Sequence, residues 1–111
     1  MLNLGIHLIN HIKEVHEAGL THGDIKADNI IIGNYENLLD HKGFARLIDF
    51  GTSTRYKDDN NKHVSQELKK NFVGNVLFNS ASQLDNKFTC RRDDMLSIGL
   101  LLIFLVSQLP Y

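Results

Sequence analysis

The chain has 111 residues, with 12 Lys and Arg against 13 Asp and Glu and a net charge of −1. That suffices for one small domain with a modest core, and it excludes a general attraction to nucleic acid or to acidic membranes. A single cysteine, Cys90, excludes an internal disulfide framework; with no Asn-x-Ser/Thr acceptor and no basic secretory leader, the expectation is an intracellular chain, cytoplasmic or nuclear.

Leu2, Ile6, Ile9, Ile12 and Val15 recur at steps of three or four, with His7, Asn10, His11, Glu14 and Glu17 interleaved. This predicts an amphipathic helix with one buried stripe, stopped by Gly19. Residues 20–29 are too polar and too aperiodic for a regular element. Ile30-Ile31-Ile32 predicts a short buried strand closed by Gly33-Asn34; Ala45 to Ile48 predicts a second, and the segment between them a hairpin-like connection. From Gly51 to about Lys70 the chain turns polar around Asp58-Asp59-Asn60-Asn61-Lys62, which predicts an exposed, mobile loop. Asp93 or Asp94 then starts a strongly apolar helix running to about Gln108 and ended by Pro110. Its run from Ile98 to Val106 is far short of the roughly 20 residues of a membrane span, so a buried helix is expected. The fold class is mainly α (α+β), without repeats or low-complexity tracts.

Chemistry concentrates in two places. Asp24 lies in a polar loop directly after a helix, with Lys26 two residues on and Asn29 five residues on. Asp49 ends the next strand and is followed by Phe50-Gly51. Phosphoryl transfer from a nucleotide needs a carboxylate to orient the incoming hydroxyl and take its proton. It also needs oxygen ligands to hold magnesium on the phosphates, and a cation near the transferring group. Asp24 suits the first role, Asn29 and Asp49 the second, Lys26 the third. Gly51 would let the chain turn sharply after the metal ligand by adopting positive φ.

The run His22-Gly23-Asp24-Ile25-Lys26-Ala27-Asp28-Asn29 resembles the catalytic loop of protein kinases, and Asp49-Phe50-Gly51 is similar to their D-F-G motif. Gly74 to Ala81 resembles the substrate-facing end of an activation segment. Asp94-x-x-Ser97-x-Gly99 resembles the start of the large buried helix of the C-terminal lobe, with Leu96 in place of a tryptophan. Arg91-Arg92-Asp93-Asp94 and His-Gly-Asp are similar to the casein-kinase-one superfamily, above all its vaccinia-related branch. The resemblance spans nearly all of residues 1–111 and implies part of a C-terminal lobe: helices plus a short β-hairpin carrying the catalytic loop. It implies ATP and Mg2+, a protein substrate accepting at Ser or Thr, and an acidic or primed sequence preference. Asp94 would accept hydrogen bonds from the catalytic-loop backbone, with His22 and Gly51 as structural supports.

Two positions depart from the general pattern. Gly23 replaces the arginine that in many kinases pairs with an activation-loop phosphate, which implies activity independent of that phosphorylation. Asn79-Ser80-Ala81 stands where most kinases have Ala-Pro-Glu, as in the casein-kinase-one group. Nothing before Leu20 resembles a glycine-rich phosphate loop or the strand lysine, and the last C-lobe helices are missing; residues 1–111 are expected to be inactive alone. Two alternatives remain: a small-molecule phosphotransferase of the aminoglycoside or choline kinase type, against which Lys26 argues, and a pseudokinase or scaffold relic.

Blander readings accompany these. His7 and His11, four apart, could reach one metal, but no glutamate follows His7 and both are expected on the polar, exposed face. His22 is expected to pack or hydrogen-bond within the loop. Cys90 reads as an ordinary small residue. Lys69-Lys70 and Arg91-Arg92 read as solvated charge, the arginine pair alternatively as a binder of acidic substrate residues.

Overall fold

The computed structural model describes residues 2–33, 45–64 and 75–108. Helix α1 (Leu2–Glu17) comes first. Its buried face is Gly5, Leu8, Ile12 and Val15, whereas Leu2, Ile6 and Ile9 are exposed. The expected stripe is therefore corrected by rotation about the helix axis. Gly5 lies on the packed side, where a Cβ would come within 3.1 Å of Leu102 Cδ1. His7, expected on the exposed face, is buried. Gly19, at φ 85, ends the helix, its N–H donating to the His16 carbonyl at 3.0 Å.

The segment after α1 holds more regular structure than its polarity suggests. Strand β1 (Leu20–Thr21) pairs antiparallel with β4 (Thr54–Arg55), and Ala27–Asn29 forms a 3-10 turn. Strand β2 (Ile30–Ile32) pairs antiparallel with β3 (Ala45–Leu47), Ile30 opposite Leu47 and Ile32 opposite Ala45. The connection between them, 34–44, lies outside the described residues. Ile31 and Ile32 are more than half exposed, correcting the buried-strand expectation. The ribbon's share of the core comes from Ala45 and Leu47 of β3, and of the three isoleucines only Ile30 packs against it.

The stretch expected to be a loop from Gly51 is ordered in its first part. Tyr56 is only 2% exposed and its hydroxyl donates to the His16 carbonyl. Beyond it, Asp58 accepts the N–H groups of Asn60 and Lys62, both at 2.9 Å, closing a tight turn that brings Lys57 opposite His63. Residues 65–70 lie outside the described residues.

Helix α2 (Ala81–Leu84) starts with a capping box between Ser80 and Gln83. Helix α3 (Arg91–Ser107) begins two residues before Asp93, because Cys90 is the cap and Asp93, at the third helical position, accepts the Cys90 N–H at 2.8 Å. Its buried face is Asp94, Ser97, Ile98 and Leu101. Leu96, Leu100, Ile103, Phe104 and Val106 are exposed, so α3 is buried on one side and not all round. Pro110 lies outside the described residues. Leu8, Ile12, Val15, Ile25, Ala45, Leu47, Phe78, Ile98 and Leu101 form one core joining α1, α3 and the ribbon. No described helix is long and apolar enough to cross a membrane.

Candidate active site

Residues 22–25 have no ladder partner, so their buried backbone groups need side chains. They find one for each group of the first three residues. The N–H groups of His22 and Gly23 donate to Asp94 Oδ2 and Oδ1, both at 2.9 Å, and the Asp24 N–H donates to His22 Nδ1 at 3.2 Å. The carbonyls of His22, Gly23 and Asp24 accept from Thr52 Oγ1 (2.8 Å), Gln83 Nε2 (3.2 Å) and Asn29 Nδ2 (2.8 Å). The Ile25 carbonyl accepts from Asn75 Nδ2 at 3.3 Å. Asp94, 1% exposed, also takes His16 Nε2–H on Oδ2 at 2.8 Å. Because His22 Nδ1 accepts, the ring proton sits on Nε2, which donates to the Ile48 carbonyl at 3.0 Å. The His22 ring meets the Phe50 ring edge-on at 5.0 Å.

This scaffold presents Asp24. Its Oδ1 accepts from Asn75 Nδ2 at 3.0 Å; its Oδ2 takes Asn29 Nδ2 at 3.2 Å and Lys26 Nζ at 3.0 Å. Burial pushes the carboxyl up, but the hydrogen bonds from Asn75 and Lys26, the Lys26 charge and the Asn29 amide together hold it below its ordinary value. Lys26 is raised in turn, first by its hydrogen bond to Asp24, then by the Asp24 charge, with Asp28 and Asp49 adding to it. Asp24 is thus an ionised acceptor beside a cation, with two bonds on Oδ2 and one on Oδ1, which keeps a lone pair for a further donor.

Asp49 is arranged differently. It is exposed and sits at φ 60, and its Oδ1 accepts the Gly51 N–H at 3.2 Å. The expectation of positive φ at Gly51 is corrected: the left-handed residue is Asp49, for which such a conformation is uncommon and points to constraint. What Gly51 provides is room, since a Cβ there would lie 3.1 Å from Asp49 Oδ1. The Ile48 N–H donates to the Asn29 carbonyl at 2.9 Å, linking the two segments. The Asn29 amide nitrogen is committed to Asp24, which leaves its oxygen as a ligand atom, and Asp49 offers an exposed carboxylate. An oxygen pair of one carboxylate and one amide fits magnesium, which takes few protein ligands and keeps phosphate oxygens and water. Among the described residues no group of three or more His, Cys, Asp or Glu is placed to hold a metal.

His11 is half-buried and its Nδ1 accepts the Leu47 N–H at 2.9 Å, tying α1 to β3; burial lowers its pKa. Cys90 is buried, and burial raises its thiol pKa. The Arg91 guanidinium lies 4.6 Å from the Tyr56 ring centroid, a cation–π contact, while Arg92 reaches Ser82 Oγ at 3.4 Å. Lys69, Lys70 and Gly74 lie outside the described residues. Four positioning side chains were not foreseen: His16, Thr52, Asn75 and Gln83. None belongs to a short motif, and 16, 75 and 83 lie far along the chain from the groups they hold.

The family model "Protein kinase domain" matches residues 3–111. The chain is 34% identical over its whole length to the casein kinase I homolog RAG8 of Kluyveromyces lactis, covering 21% of that protein. It is 32% identical over its whole length to casein kinase I homolog 2 of Saccharomyces cerevisiae, covering 20% of it. Casein kinase 1-like protein HD16 of Oryza sativa subsp. japonica is 30% identical over 97% of the chain and 15% of its own length. The chain thus spans about a fifth or less of the curated relatives it matches.

Proposed function

The chain belongs to the protein kinase family and is casein-kinase-one-like, and from that premise we propose that residues 1–111 are part of the C-terminal lobe of a protein serine/threonine kinase. The observation that carries the reading is Asp24, an ionised carboxylate aimed by Asn75, Asn29 and Lys26 in a loop pinned to Asp94. Asp24 accepts the hydrogen bond of a substrate Ser or Thr hydroxyl, orients its oxygen, and takes its proton as the phosphoryl group arrives. Lys26 lies beside Asp24, where it offsets negative charge on that group. Asn29 and Asp49 would hold Mg2+ with ATP, and the ion would supply neutralisation of phosphate charge. An acidic or primed protein substrate, and a cytoplasmic or nuclear site of action, complete the reading.

Turnover also needs a phosphate-binding loop and a strand lysine, which residues 1–111 do not contain, so this segment by itself is proposed to be inactive. The test is Asp24→Asn in the complete kinase polypeptide. Turnover should fall by about 10²- to 10⁴-fold, the span of general acid–base contributions, with nucleotide affinity close to wild type. Wild-type turnover in that variant removes Asp24 from the mechanism.

A further inference from the structure

Gln83 is 3% exposed and uses both ends of its amide. Its Oε1 accepts the Ser80 N–H at 3.1 Å, and this fixes the opposite end as the donor. That donor, Nε2, reaches the Gly23 carbonyl at 3.2 Å and Thr89 Oγ1 at 3.1 Å. The support behind it is rigid: the Gln83 N–H donates to Ser80 Oγ at 3.2 Å, and Ser80 Oγ–H donates to Asp93 Oδ1 at 2.6 Å. Gly23 has no side chain to steady itself, sits at φ 86, and has no room for one, because a Cβ would lie 3.0 Å from the Thr52 carbonyl oxygen. Its N–H is held by Asp94 and its carbonyl by Gln83. The carbonyl belongs to the peptide unit that leads directly into Asp24, so its plane sets the direction from which the Asp24 side chain departs.

We infer that Gln83 is a positioning residue for Asp24. By holding the Gly23–Asp24 peptide it aims the carboxylate, and it couples that aim to the Ser80–Asp93 contact at the end of the 75–83 segment. This rests on the phosphotransfer reading above. Misplacement of a reacting group by about 1 Å can cost about 100-fold in rate, so loss of one peptide anchor falls within reach of a kinetic measurement.

The experiment compares the complete kinase polypeptide with Gln83→Met, which keeps length and burial but donates nothing, and with Thr89→Val, which removes only the other acceptor of Nε2. Gln83→Met should lower kcat about 10- to 100-fold while the dissociation constant for Mg·ATP stays within about twofold, a split that general loosening of the fold does not give. Thr89→Val should keep kcat within about threefold. A Gln83→Met kcat within about twofold of wild type overturns the inference, as does a parallel loss of kcat and nucleotide affinity, or an equal loss in Thr89→Val. Should Gln83→Met not fold, Gln83→Glu, which keeps the acceptor for Ser80 and loses the donor to Gly23, decides on the same two readouts. If neither folds, Gln83 serves stability and the inference falls. A wild-type polypeptide that transfers no phosphate to protein Ser or Thr overturns the functional reading and this one with it. An active wild type with an indifferent Gln83→Met overturns this one alone.

Discussion

Asp24 and Asp49 are both loop carboxylates in the proposed site, and the chain treats them in opposite ways. Asp24 is 8% exposed and accepts from three side chains, in a loop where the backbone groups of His22, Gly23 and Asp24 are all bonded. Asp49 is exposed and carries one bond, to the N–H two residues on. Directional proton transfer needs a base already pointed at its partner, and burial with three fixed donors provides that while leaving a lone pair of Oδ1 for the incoming hydroxyl. Metal binding needs ligand oxygens open to a hydrated ion, so a pre-engaged carboxylate would have to break bonds first. The difference in burial therefore separates the two proposed roles, base and metal ligand, where residue type does not.

The contrast can be broken or sharpened by substitution in the complete polypeptide. The largest effect should come from Asp94→Ala. It leaves the buried N–H groups of His22 and Gly23 and the His16 ring without their acceptor, and urea unfolding should show a loss of about 3–5 kcal/mol. Gly23→Ala should follow at about 1–3 kcal/mol, because positive φ is costly for alanine and the new Cβ meets a backbone oxygen. Both would break the comparison if they proved harmless.

A smaller effect is confined to acid. The folded pKa of Asp24 lies below its ordinary value of 3.8, so its contribution to stability is present above that value and is lost as pH falls through the lowered one. Melting temperatures of Asp24→Asn should accordingly fall less steeply than wild type below about pH 3.8. The smallest stability change should come from Asp49→Asn, within about 0.5 kcal/mol, because the site is exposed and asparagine tolerates positive φ. Its effect should appear instead as weakened Mg·ATP binding in calorimetry. A large stability loss there would erase the distinction between the carboxylates.

The proposed roles of Asp24, Lys26 and Asn29 were assignable from residue type at short spacing, and that of Asp49 from the Phe50-Gly51 beside it. What surrounds them was not legible. Asn75 and Gln83 act on the loop from 50 and 60 residues away, and neither amide differs in sequence from a surface one. In α1 two apolar stripes compete, and the packed one includes Gly5, which has no side chain to signal it. Tyr56 and the strand before it sit inside a run whose polarity argues for a loop, because polar groups there bond the backbone of a turn. The apolar residues of α3 predicted the helix correctly, but composition cannot say how many of its faces are covered.

Asp94 lies 72 and 71 residues beyond the amides it holds. Bonds within residues 20–29 shape part of the loop, but the His22 and Gly23 amides find their acceptor only when the first turn of α3 has docked. Such long-range closure is slow and is completed only when distant segments meet. The same dependence runs backwards: any excursion that lifts the start of α3 releases His22 and Gly23 together. The geometry around Asp24 is therefore tied to the docking of α3, and hydrogen exchange at the His22 and Gly23 amides should report any opening of its first turn.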